Sequence, residues 1–92
     1  MLTADKILIR DEETTGVLLD ERYILLSIHT GCYFEFNRIA SEIWKILGEP
    51  CRLSVILDQL SKNYKVDSET LSREVISFLD NLVRHRLVRV LQ

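Results

Sequence analysis

A basic excess, a long apolar run and the common motifs of enzyme sites are all missing from this 92-residue chain. Twelve lysines and arginines stand against fourteen aspartates and glutamates, a formal net charge of −2. A nucleic-acid-binding domain of this size ordinarily carries a basic excess or a basic stripe, so nucleic acid is not the expected partner. No apolar stretch approaches the ~20 residues of a membrane span, and no membrane association is expected. The opening residues Met1, Leu2, Thr3, Ala4, Asp5 and Lys6 lack the charged start and apolar stretch of a secretory signal. A cytoplasmic location is the expectation.

The chemistry of catalysis is absent as well. There is no Gly-rich phosphate loop and no GxSxG elbow. The carboxylates are scattered over strand ends and polar helix faces, where solvation accounts for them. The only cysteines, Cys32 and Cys51, and the only histidines, His29 and His85, match no zinc spacing. In the cytosol both thiols are expected to be free. No catalytic residue, metal ligand or cofactor is expected, and the chain is read as a non-enzyme.

What is present is apolar surface. The length suits one compact domain spanning residues 1–92. Folding at this size buries only ~60–65% of the unfolded chain's surface. Hydrophobic residues make up 47% of the chain, and the mean hydropathy of +0.05 is high for so short a chain. Some apolar surface is left over for a partner.

Residues 5–36 read as β. Apolar runs at 7–9, 17–19, 23–28 and 32–36 are separated by polar stretches. Residues 11–16 look turn-like, and His29, Thr30 and Gly31 supply a turn with Gly31 able to take positive φ. Three strands are expected, and residues 17–19 either form a fourth or extend the run that follows. Alternation puts Cys32, Phe34 and Phe36 on one face of the last strand, with Tyr33 and Glu35 on the other.

The period then becomes helical. Asn37 is a good N-cap for a helix over about 38–47, with Ile39, Ala40, Ile43, Trp44 and Leu47 on one face, ended by Gly48 and Pro50. A second helix over about 53–63 places Leu53, Ile56, Leu57 and Leu60 inward, and its start is weakly capped. Tyr64 and Val66 anchor the connection. Asp67 or Ser68 caps a third helix over about 68–86. There Leu71, Val75, Phe78, Leu79 and Leu82 recur at spacings of three and four, widened by Ile76 and Val83. Residues 87–91 either add a β-segment or prolong the helix. The fold class is α+β: a three-stranded antiparallel meander followed by three helices, in the manner of a winged helix-turn-helix.

Read singly, Cys32 is a small apolar residue of the strand face and His29 a turn residue. His85 lies beside Arg84 and Arg86 where positive charge suits a helix C-terminus. Trp44 is a core aromatic. Arg84, Arg86 and Arg89 are either a solvated helix end or a patch for a partner's acidic residues.

The order of these features resembles a known family. The series runs Ile24, Leu25, Leu26, Ser27, Ile28; then Thr30, Gly31, Cys32, Tyr33, Phe34, Glu35, Phe36, Asn37; then Ile43, Trp44, Lys45, Ile46, Leu47, Gly48. Ile56, Leu60, Tyr64, Val66, Asp67, Glu74, Val75, Phe78, Leu79 and Leu82 continue it. Over roughly residues 15–88 this is similar to the PqqD-like family, the precursor-peptide recognition elements of ribosomally synthesised, post-translationally modified peptide (RiPP) pathways. Phe36 replaces a usual Leu, and Glu74 a usual Asp. His85 and Arg86 stand where a Gly often closes the third helix. The Thr-like start of the second helix is missing, and residues 17–23 form a longer link than usual.

The resemblance implies a non-catalytic protein that binds the leader region of a precursor peptide and delivers it to modifying enzymes. It looks most like the free-standing recognition protein of lasso-peptide pathways, whose partners include a leader peptidase and a cyclase. The neighbouring option is partnership with a radical enzyme of the pyrroloquinoline-quinone type. The leader is expected to add as a strand along Cys32, Tyr33, Phe34, Glu35 and Phe36. Leu71, Glu74, Val75, Phe78, Leu79 and Leu82 would form the facing wall. Phe34, Phe36 and Leu79 serve equally well as plain core. An exposed edge supplies main-chain hydrogen bonds and apolar pockets supply specificity. Two alternatives stay open: a winged-helix nucleic-acid binder, and an oligomerisation module that forms a homodimer or swaps strands.

Overall fold

The computed structural model describes residues 2–91. Along them lie β1 (Ile7–Arg10), β2 (Thr14–Leu19), β3 (Arg22–Ser27), β4 (Tyr33–Glu35), α1 (Arg38–Ile46), β5 (Cys51–Arg52), α2 (Leu53–Asn63), α3 (Ser68–Arg84) and β6 (Val88–Val90). The fold is α+β, with a meander ahead of three helices. The strands form two antiparallel sheets of three, ordered β5-β1-β6 and β2-β3-β4. The meander is therefore β2-β3-β4.

The first apolar run does not join that meander. β1 sits between β5 and β6, with Leu8 opposite both Cys51 and Val90. Leu8 is fully buried. Asp11 turns the chain from one sheet into the other. Its N–H donates to the Leu87 carbonyl, its carboxylate accepts from the Glu13 N–H at 2.8 Å, and its carbonyl accepts from the Thr14 N–H.

Residues 14–16, expected in a turn, belong to β2. Thr14 and Thr15 are β-branched and favour extended backbone. Gly16 is needed because the Leu25 side chain lies across it: a Cβ at Gly16 would come within 2.4 Å of Leu25 Cδ2. Residues 17–19 pair with β3 and do not prolong it. The β2–β3 link is a two-residue turn at Asp20 and Glu21, both with positive φ. That is the hairpin geometry usually given to Asn-Gly.

The helix starts follow capping chemistry. Asn37 accepts from the Ala40 N–H at 2.9 Å, and Asp67 accepts from the Thr70 N–H at 3.1 Å. Arg52 offers no side-chain cap to α2. The Lys6 and Ala4 carbonyls accept from the Leu53 and Ser54 N–H groups instead, so the N-terminal segment caps that helix. At the far end of α1, the Arg10 guanidinium donates to the Trp44 carbonyl and lies 4.7 Å from the Trp44 ring. Cys51 and Arg52, which read as a poor helix start, form β5.

The third helix stops at Arg84, two residues short of the expected end. Arg86 takes φ +63, its N–H donates to the Val83 carbonyl, and the Leu87 N–H donates to the Leu82 carbonyl. This is a Schellman closure with arginine in the place of glycine. The closure turns the chain into β6. The tail thus adds a strand and does not lengthen α3.

One core joins both sheets and the three helices. Leu8, Leu25, Ile43, Leu47, Leu53, Ile56, Leu60, Leu79 and Leu87 are fully or almost fully buried within it.

Candidate functional site

β4 is the outer strand of its sheet. The register with β3 decides which of its backbone groups are free. The Ser27 N–H donates to the Cys32 carbonyl and the Phe36 N–H to the Tyr23 carbonyl. Leu25 pairs with Phe34 between them. Backbone N–H and C=O of alternate residues point to opposite sides of an antiparallel strand. Cys32, Phe34 and Phe36 thus address β3, and the N–H and C=O groups of Tyr33 and Glu35 face the open edge.

An apolar groove of about 420 Å³ runs beside this edge. Phe34 of β4 and Phe36 just after it, with Ala40 and Ile43 of α1, form one side; Leu71, Val75, Phe78 and Leu82 of α3 form the other. Phe36 meets Phe78 edge to face, 5.4 Å between centroids, and Trp44 at 5.9 Å. Phe34 meets the His85 ring at 5.4 Å, at the C-terminal end of α3. β4 therefore runs antiparallel to α3. Tyr64 and Val66 close the opposite end. From Leu71 to His85 the groove follows α3 for about 20 Å, at ~1.5 Å per helical residue. An extended segment of about six residues spans that length.

Of the residues picked from sequence, the groove brings together Phe34, Glu35 and Phe36 with Leu71, Glu74, Val75, Phe78 and Leu82. Three others lie elsewhere. Leu79 is fully buried beneath the groove floor. Tyr33 turns its side chain to the opposite face and is 75% exposed, although its backbone lines the edge. Cys32 is exposed, not apolar core. It lies one strand pair beyond Phe34, past the end of α3, so no helix covers it.

Several lining residues were missed. Asn81 and His85 continue the spacing 74, 78, 81, 85, one helical stripe that could have been followed further. Ile39, Ala40 and Ile43 were assigned to the core face of α1, yet Ile39 is 42% exposed at the groove mouth. Tyr64 and Val66 were read only as anchors, and Val66 is 47% exposed.

The acidic groups at the groove are Glu35 and Glu74, and the His85 ring lines one end. Glu35 pairs with Arg22 at 3.6 Å in full view of solvent, a contact of little energetic weight. Neither cysteine is placed for catalysis. Cys32 stands outside the groove, and burial pushes the Cys51 thiol above its ordinary value, which keeps it protonated. Among the described residues no group of three or more His, Cys, Asp or Glu side chains could hold a metal ion. No helix there is long and apolar enough to cross a membrane.

Residues 22–88 match the family profile described as "Coenzyme PQQ synthesis protein D (PqqD)". The chain belongs to the PqqD family. A solved structure, "TbiB1 in Complex with the TbiA(beta) Leader Peptide", superposes with a TM-score of 0.80 at 29% sequence identity. The match covers 88% of this chain and 94% of the other. No curated protein sequence matches significantly. The groove of this PqqD-family chain, from Phe34 to His85, lies wholly within the matched segment, whereas β1 and β2 lie before it.

Proposed function

We propose that this chain binds the leader region of a ribosomally synthesised precursor peptide as an added strand on β4. The observation that carries the reading is the open backbone of Tyr33 and Glu35 beside an apolar groove. The guest's main chain pairs with that edge, and two or three of its side chains fill the space between Phe34, Phe36 and α3. Micromolar to nanomolar affinity is roughly −8 to −12 kcal/mol, within reach of a few such bonds and anchors. The likeness to a protein solved with a leader peptide supports this reading. The protein does no chemistry on the peptide; it delivers it to modifying enzymes, a leader peptidase and cyclase in a lasso-peptide pathway.

The test is a titration of a fluorescent peptide copied from a short reading frame beside the gene. Glu35→Pro removes an N–H that the fold does not use, so circular dichroism should stay native while binding is lost. Ile39→Glu and Val66→Glu, at exposed positions on the rim, should weaken binding by tenfold or more. Normal binding by Glu35→Pro would rule out strand addition on β4. Val75 and Leu82 are poorer test sites because both are buried.

A further inference from the structure

Among the α3 residues that line the groove, Glu74 alone carries a carboxylate, and the protein does not match its charge. It is exposed on the wall between Leu71 and Phe78. Its neighbours four positions away on α3, Thr70 and Phe78, carry no charge. Among the described residues no basic side chain pairs with it. The other acid at the groove, Glu35, is already matched by Arg22 at 3.6 Å. No lysine or arginine lines the groove. A guest that covers Glu74 with apolar atoms strips water from a carboxylate without replacing it, which weakens binding. A guest that brings a cation replaces that water with a charge-assisted hydrogen bond.

The spacing of the wall sets where the cation belongs. One turn of α3, from Leu82 to Phe78 or from Phe78 to Glu74, advances about 6 Å. Two residues of an extended strand advance about 6.8 Å. Alternate guest side chains therefore keep step with successive turns of the helix. The ring contacts set Phe36 level with Phe78, and Phe34 level with His85. Guest side chains opposite Phe34 and Phe36 then meet apolar wall at Leu82 and Phe78. The next one on that face passes the end of β4 and reaches Glu74. A cation at the other end would approach Arg84 and Arg86, both exposed beside His85, and like charge disfavours it there. Antiparallel pairing, the more stable kind, puts the cation ahead of the apolar residues.

We infer that Glu74 selects a guest peptide with a lysine or arginine two positions before the first of two apolar residues, themselves two positions apart. The inference rests on strand addition to β4 and adds to it the chemistry of the guest.

Fluorescent peptides of the form Thr-Lys-Thr-Leu-Thr-Leu-Thr test it. In two variants Gln or Glu replaces Lys, and in a third Lys changes places with the Thr that follows it, so that it faces away from α3. The wild type is expected to bind the Lys peptide about fivefold tighter than the Gln peptide or the shifted one, and added salt should shrink the difference. Glu74→Gln should bind the Lys and Gln peptides alike, with an unchanged circular dichroism spectrum. Glu74→Lys should prefer the Glu peptide. Equal binding of the Lys and Gln peptides by the wild type overturns the inference. So does a preference for Lys that survives Glu74→Gln, or one that the shifted peptide shares, which net charge alone would give. If Glu35→Pro still abolishes binding in any of these cases, the edge is right and the role of Glu74 wrong. If none of these peptides binds while the one from the neighbouring reading frame does, the pattern is wrong and strand addition stands. If neither binds, both fall.

Discussion

The Phe36 and Phe78 rings meet at 70° with 5.4 Å between centroids, and this contact ties the open strand β4 to α3. Phe36 is buried while Phe78 is half-buried at the groove wall. The pair thus serves core and groove together. Phe78→Ala should cost about 2 kcal/mol, less than a fully buried Phe because part of the ring is already in solvent. Urea unfolding reads that loss, and peptide titration should show weaker binding under conditions where the variant is still folded.

Ser41 takes the place of a strand partner. Its buried hydroxyl accepts from the Tyr23 N–H at 2.9 Å. Ser41→Ala strands that N–H inside the protein, and such groups cost about 1–3 kcal/mol. Chemical denaturation should show a drop in this range, with the helical content of the folded state unchanged.

Arg86 holds φ +63 at the end of α3, where glycine carries no Cβ penalty. Arg86→Gly should raise stability by about 0.5–1 kcal/mol, the strain relieved being partly offset by a freer unfolded chain. A rise in the thermal midpoint checks it; a fall would mean that the arginine side chain contributes more than its backbone costs.

Asp11 gives the fold an acid dependence. Burial opposes its charge, but the Glu13 N–H and His29, 3.1 Å away, outweigh burial and hold the carboxyl below its ordinary 3.8. A depressed carboxyl stabilises the fold at pH above its unfolded value and ceases to do so as pH falls through the folded one. Stability measured from neutral pH downward should therefore decline below about pH 4. Asp11→Asn should flatten that part of the profile.

How much of this was legible depends on where each signal resides. The α3 stripe and the caps Asn37 and Asp67 are local, and sequence spacing exposes them. The alternation of Phe34 and Phe36 is local too, and it located one side of the groove. The pairing of β1 with β5 and β6 is not local: nothing near Leu8 names Cys51 or Val90 as its neighbours. The cap on α2 comes from Ala4 and Lys6, nearly fifty positions upstream, so a search around Arg52 finds only a poor start. Gly16 read as a turn because its reason for being glycine is Leu25, across the sheet. Cys32 misled because alternation assigns a face without saying how far the covering helix extends.

The antiparallel pairing of β1 with β6 sets Ile7 beside Leu91, whose N–H donates to the Ile7 carbonyl. Entry and exit strands are thus neighbours, and neither contributes to the groove. A unit built this way can be spliced into a surface loop of another protein, since the gap to be bridged is one strand spacing. On the proposed function, such an insertion would leave the surface that pairs with the peptide unchanged.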